Sequence, residues 1–562
     1  MVIKFIEIFL KYTAFYIYFY LVGKSFFVVV SYMMKEKFQN HKFLYLRIEL
    51  LYPLMGMILV SNFLFIIHTF FNLESFIINF AIFLFLVPSL LDILKNKKFR
   101  NINGTDTINS IFYYLIIPSI LLVSTFDINF NYDAGYYHLL HQSWLRESNL
   151  IIGMVNIFWA FGMSSIYEYI SAFLWFDTTF VLLHFLNLFF IHFLYIFISE
   201  NLIKQKNKHL FNVSIFLLIY SLLDNFGIGG GRNGFIYIQG VTKQDVTVGI
   251  LFFFLSIVIL LKINDKSATK FELFLISFIS LFVYQLKVSA VLILLIYLLL
   301  LVFEYNEKKL NFKDIFKINI PVIFLSSFWL FKSLLTTGCL IFPVAFTCFD
   351  SFNWYLKGST EVYESITKSA SLAFDNSVPL IEWIKASGFF EYRNQIFLNF
   401  FASLLILLVI RFFLFEKEKM PKKIIFIAAG FLIANFLYLL FFGPIPRYAI
   451  GATLTTAGVV GVLTSNFKFK IPQFLIYFSI FLSVVFLVRA DSYLGFLNNN
   501  EFRFFDPRTN NKINIEIGFE KINENWVRPL DQDQCWSNTK CTLTKYEIEL
   551  LKDRTFKIAY AK

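Results

Sequence analysis

At 562 residues, 58% hydrophobic, 20% aromatic and only 16% charged, the chain lies far from soluble domains, which average about 45–50% apolar and about 25% charged; a water-soluble core is excluded. Apolar stretches recur along the whole length, which a cleavable leader at one end would not produce. The formal charge of +12 sits in short Lys/Arg clusters between apolar stretches, the mark of the positive-inside rule, and no basic helix with interleaved aromatics reads as a nucleic-acid contact, so nucleic acid is excluded as a partner.

A spanning helix needs about 20 mostly apolar residues. By that measure helices are expected near 5–32, 48–70, 72–92, 109–125, 178–199, 210–224, 246–262, 271–285, 288–303, 318–335, 397–414, 424–442, 448–465 and 472–489. The expected fold is an all-α polytopic membrane protein. The stretch 271–303 reads either as one long tilted helix or as two short ones around Gln285-Leu286-Lys287.

Parity favours two. With the N-terminus outside, alternation puts every Lys-rich loop in the cytoplasm: Lys35/Lys37/Lys42, Lys95–Arg100, Lys204/Lys206/Lys208, Lys262/Lys266/Lys270, Lys308/Lys309/Lys313, Lys417/Lys419/Lys422/Lys423 and Lys468/Lys470. A single span at 271–303 would turn the last three clusters outward, against the positive-inside bias. Helices this short do not cross a full hydrocarbon core, so they are expected to end at a cavity, where irregular backbone is tolerated.

Three large segments then lie outside: 126–177, 336–396 and 490–562. The first is half apolar, with aromatics spaced as in amphipathic helices lying on a membrane surface. The last is polar and reads as a small extracytoplasmic domain after a membrane domain spanning 1–489. No internal repeat is visible. All four cysteines, Cys339, Cys348, Cys535 and Cys541, fall outside on a topology drawn from charge and hydropathy alone. A bacterial envelope is oxidising there, so the local pairs Cys339–Cys348 and Cys535–Cys541 are expected as disulfides; four free thiols are the alternative. No CxxC or His-rich spacing marks a metal site.

The first outer segment holds Asp133-Ala134-Gly135-Tyr136-Tyr137-His138, then His141, Trp144, Arg146 and Glu147. Asp133 follows a span end, where partial desolvation raises a carboxyl pKa toward working pH and suits it to general-base work on a sugar hydroxyl. An ordinary helix N-cap is the competing reading. Lys287 interrupts an apolar stretch, and an ionisable group at membrane depth is a functional candidate; a lipid phosphate would suit it, whereas a plain snorkelling lysine would need no ligand. Arg447, in the turn Gly443-Pro444-Ile445-Pro446-Arg447-Tyr448, either clamps a phosphate or anchors at headgroups. Asp245 and Arg232 border the loop Gly229-Gly230-Gly231-Arg232-Asn233-Gly234, which lacks the GK[ST] of a phosphate-binding loop and reads as flexible. Asp133, Asp245, Lys287 and Arg447 thus fall on one outer face, where acid and cationic groups together suit group transfer from a lipid phosphate.

The run from Asp133 to Phe176, with its D-x-x-Y-Y-H, W-L-R-E, G-M-V-N and F-G-M-S-S pieces, resembles the first outer loop of an uncharacterised family of bacterial polytopic envelope proteins, itself similar to GT-C glycosyltransferases. Phe331-Lys332-Ser333-Leu334-Leu335-Thr336-Thr337-Gly338-Cys339-Leu340-Ile341-Phe342-Pro343, Pro446-Arg447-Tyr448 and Asp533-Gln534-Cys535-Trp536 with Cys541 are similar to three further pieces of that group. Cys339 stands where the family usually has Asn or Tyr, and Lys540 where it has Pro.

The resemblance implies a GT-C-like bundle of about 12–14 spanning helices, with helical outer loops, in a bacterial inner (cytoplasmic) membrane. It implies sugar transfer, with inversion, from a polyprenyl-phosphate donor to an envelope glycan, lipid or protein. Asp133 would be the base, and Lys287 and Arg447 would hold the leaving phosphate. His138, Asp245 and Lys332 join them as substrate-binding candidates. GT-C enzymes usually carry an acidic pair in this loop. Here the nearest partner is Asp127, six residues earlier, which weakens a metal-bridged site and leaves a divalent metal open. A non-GT-C polysaccharide polymerase or ligase is a second reading. A lipid-linked sugar transporter or flippase is a third, which would favour internal repeats and mid-span charges.

Overall fold

The computed structural model describes residues 2–35, 38, 41–95, 104–128, 130–163, 165–175, 181–226, 236–266, 268–372, 392–416, 422–442, 446–498, 518–530, 533–544, 547–553 and 556–561. Among these, eight helices are long and apolar enough to cross a membrane, or nine if Gln473–Leu487 and Ala490–Asn498, bent by 81° at their junction, form one span. The chain is an all-α polytopic membrane protein. The remaining expected segments are helical too, as Lys208–Phe226, Lys270–Leu286, Tyr392–Leu414, Lys422–Phe442 and Pro446–Val462.

Sequence character sorts these helices radially. A helix apolar on all sides belongs either in the centre of a bundle or against lipid. The apolar windows of Val181–Lys204 and Asp245–Asp265 are 94% and 100% buried, whereas those of Phe76–Lys95 and Phe312–Thr337 are 17% buried and face outward. Val2–Met34 and Ile48–Ile67 cross in backbone contact. A Cβ on Gly23 would lie 1.8 Å from the Tyr52 carbonyl oxygen, and one on Gly56 would lie 1.9 Å from that of Phe19, the small-residue contact that lets helices approach closely in lipid.

The Lys-rich loops share one end of the bundle. Arg47 donates twice to Glu200 at 2.9 and 3.2 Å, and the Leu44 N–H donates to Glu272 at 3.1 Å. Lys262 pairs with Glu272 at 2.7 Å, Lys266 with Glu307 at 2.7 Å and Lys270 with Asp314 at 2.8 Å. Asn212 donates to the Thr464 and Ser465 carbonyls at 2.9 and 2.8 Å, and Arg411 to that of Leu463 at 2.8 Å. Because Lys266 meets Glu307 here, residues 270–306 must run away and return. They form two helices, as parity requires. The break is Lys287 itself, extended at φ −155°, ψ 118°, followed by a 3-10 turn at Val288–Val291.

The opposite end joins two of the outer segments. Segment 126–177 packs against the C-terminal segment, so the two share contacts that their compositions do not announce. Ile151–Ile152 pairs in parallel with Phe556–Ala561, which pairs antiparallel with Ile548–Asp553. Thr542 donates to the Ile157 carbonyl at 2.8 Å and Asn156 to that of Ala559 at 2.9 Å. Leu140, Trp144, Ile157, Phe158, Trp526 and Cys535 share one apolar core. Burying these aromatics against the tail removes their apolar surface from water.

Candidate functional site

Asp133 precedes a single π-helical turn, Ala134–His138. The i→i+5 pattern of such a turn puts Asp133 and His138 on one face, where an α-helix would splay them apart. Asp133 makes no side-chain cap hydrogen bond, so the N-cap alternative falls away. Its carboxylate instead meets the Lys243 ammonium. Burial pushes the Asp133 carboxyl up, but Lys243, with His138 and Arg447 behind it, outweighs that and holds it below the usual carboxylate range. This reverses the rise expected from desolvation alone, because the counter-charge arrives from a loop 110 residues away.

The turn is held by the tail. A Cβ on Gly135 would lie 2.0 Å from Gln534 Oε1 and 2.7 Å from the Trp536 ring. The Trp536 N–H donates to the Gly135 carbonyl at 2.8 Å, and Gln534 Nε2 to that of Tyr132 at 3.2 Å. The D-Q-C-W motif therefore seats directly on the D-A-G motif. A disulfide joins Cys535 to Cys541, and another joins Cys339 to Cys348. Peptide mass mapping without reduction should recover both pairs; free thiols at all four positions would break the link between this end and an oxidising compartment.

Asp245 opens the helix Asp245–Asp265, where a carboxylate suits the helix dipole. It accepts from Lys287 at 2.5 Å, and the same ammonium lies 3.6 Å from the Tyr448 ring centroid, a cation–π distance. Arg447, in the first turn of Pro446–Val462, donates from Nη2 to the Tyr448 hydroxyl at 3.1 Å. Its buried Nε has no hydrogen-bond partner among the described residues, and it acts electrostatically on both Asp133 and Asp245. Asp245, Lys287, Ser289, Tyr438, Arg447 and Tyr448 line a narrow cleft. Among the described residues, Asp245 in this lining meets two cations, Lys287 and Arg447, while Asp133 and Lys243 pair beside it.

His138 is buried, and its Nδ1 meets Glu168. The other Glu168 oxygen accepts from Gln142 at 2.7 Å, and Gln142 in turn accepts from Trp175 Nε1 at 3.0 Å. Burial pushes the Glu168 carboxyl up, but His138, helped by His141 and Gln142, holds it below the usual range. Burial pushes His141 down to about 4, so it stays neutral, stacked on Phe161 at 5.0 Å.

Lys332 stands apart from this cluster, in a second cleft beside Phe65, Tyr169 and Trp329. Arg232 and the triple glycine lie outside the described residues. Sequence reasoning missed Lys243 and Glu168. Lys243 was visible only as the charge two places before Asp245, and Glu168 only as the single acid in Tyr167-Glu168-Tyr169. Among the described residues no three His, Cys, Asp or Glu side chains converge as metal ligands would.

A family described as "Domain of unknown function (DUF8201)" matches residues 5–454. No curated protein and no solved structure matches the chain. The matched region takes in Asp133, Lys243, Asp245, Lys287 and Arg447 and stops short of the tail, so the chain, charged cleft included, belongs to the DUF8201 family.

Proposed function

We propose that the chain is a GT-C-like glycosyltransferase that moves a sugar from a polyprenyl-phosphate donor to an envelope glycan, lipid or protein on the outer face of a bacterial cytoplasmic membrane. The observation that supports this reading is the single excess positive charge among the described residues that line the cleft at the broken helix, Lys287 and Arg447 against Asp245. A sugar phosphodiester carries one negative charge, which that excess matches.

In this reaction the acceptor hydroxyl attacks the anomeric carbon as the bond from that carbon to the phosphate oxygen breaks. The electron pair stays on the phosphate, which gains a second negative charge. Lys287 and Arg447 are placed to meet charge that develops there. The hydroxyl proton goes to Asp133. At rest Lys243 makes this carboxylate a weak base; the donor phosphate offers Lys243 a second anion and so loosens its hold. Direct displacement inverts the anomeric centre. The test is transfer by proteoliposomes holding the purified chain, supplied with polyprenyl-phosphate-linked sugars and a membrane acceptor fraction. Absence of transfer from every lipid-linked donor would overturn the reading.

The same reading puts the Lys-rich end in the cytoplasm and the cleft, the disulfides and the tail outside. A reporter that works only after export, fused after Lys562, should then be active. Activity from a cytoplasm-only reporter at that position would change the number of crossings by one.

A further inference from the structure

We infer that the Lys332 cleft is a second anion subsite, which holds the phosphate of a lipid-linked acceptor, so that both substrates reach the protein as polyprenyl phosphates. The inference rests on the sugar-transfer reading. It begins from a buried amine with no counter-ion among the described residues. Lys332 is 3% exposed, and its ammonium has three N–H groups. One donates to the Phe65 carbonyl at 2.7 Å and one meets His68 Nδ1 at 3.2 Å. The third bonds to none of the described residues, and no carboxylate among them pairs with it. The Phe65 and Tyr169 rings lie 4.4 and 4.3 Å away. They lend partial negative charge through their faces, less than a counter-ion does. Burial without a counter-ion opposes the charged form of this amine, and a ligand phosphate would supply the counter-ion that restores it.

The surroundings suit a lipid-linked sugar. Trp329, Tyr169, Tyr284 and Phe342 line the cleft with Lys332 and Thr336. Such a wall packs isoprenoid or the apolar face of a sugar; the Thr336 hydroxyl donates to the Lys332 and Ser333 carbonyls at 3.0 and 3.2 Å and is left to accept. The cleft is built partly on Phe312–Thr337, a peripheral helix whose Phe324 and Phe331 are 61% and 51% exposed, so lipid can approach from the side. Its position is the strongest point. Val288 lines this cleft, whereas Lys287, Ser289 and Ala290 line the first. One stretch of backbone at the helix break separates the two, which places two bound phosphates on either side of a shared wall.

The probe is a long-chain polyprenyl phosphate without sugar, its binding to the whole chain in nanodiscs counted by native mass spectrometry. Wild type should bind two per chain. Lys332→Met and Arg447→Met should each bind one, and the double variant none. Thr336→Leu, which fills the second cleft without touching the ammonium, should reproduce Lys332→Met and guards against misfolding of the latter. Inorganic phosphate and glucuronate serve as competitors: displacement of the second lipid by glucuronate at low concentration would mean an acidic sugar, not a lipid phosphate, and would overturn the proposal. A single bound lipid, lost in Arg447→Met and kept in Lys332→Met, would overturn it while leaving the sugar-transfer reading intact. A single bound lipid lost only in Lys332→Met would sink the role given to the first cleft and, with it, the proposal that both substrates bind as polyprenyl phosphates.

Discussion

Asp133→Asn is expected to cut sugar transfer by about 10²–10⁴, the usual worth of general-base help, while the chain still folds. The amide keeps the size and a hydrogen-bonding oxygen but cannot take the hydroxyl proton. Competing accounts predict other outcomes. A helix cap would leave the substitution nearly silent, since Asn caps about as well as Asp; the missing cap hydrogen bond already argues against it. A purely structural ion pair with Lys243 would lower stability but not turnover. Asp133 and Lys243 retain 27% and 11% side-chain exposure, so solvent screening limits that loss to about 1 kcal/mol. The measurement is initial transfer rate per folded molecule, with the melting temperature taken in parallel. Full activity in Asp133→Asn would sink the mechanism.

Lys287→Met is expected to act twice. It removes the phosphate's counter-charge, and it strands Asp245, whose side chain is only 6% exposed. Breaking a buried pair from one side costs roughly 3–5 kcal/mol in general; Lys287 keeps 25% exposure, so the lower end applies, about 3 kcal/mol. Asp245→Asn together with Lys287→Met removes both charges and should restore most of that stability without restoring transfer. The double-mutant cycle separates the two effects. Recovery of transfer along with stability would mean that Lys287 serves only to neutralise Asp245.

The helices were legible because a bilayer imposes a one-dimensional rule: about 20 apolar residues per crossing, cations on one side. That rule favoured two helices around Gln285-Leu286-Lys287, and the contact of Lys266 with Glu307 agrees. It also put Asp133, Asp245, Lys287 and Arg447 at one end, because alternating helices return their ends to the same level. Nothing in that rule says which end sits beside which. Lys243 reaches Asp133 across 110 residues, and Lys287 reaches Asp245 across 42; these pairings follow from lateral packing, which hydropathy does not encode. The same holds for the seat of Trp536 on Gly135 and for the strand added by the tail to Ile151–Ile152, contacts between segments that look independent in composition. The sign of the shift at Asp133 was misread for this reason: desolvation can be guessed from a residue's own neighbours in sequence, but a counter-charge brought by another loop cannot. Where a residue stands along the membrane normal is written in its local sequence. What it faces in the membrane plane is decided only when the helices pack.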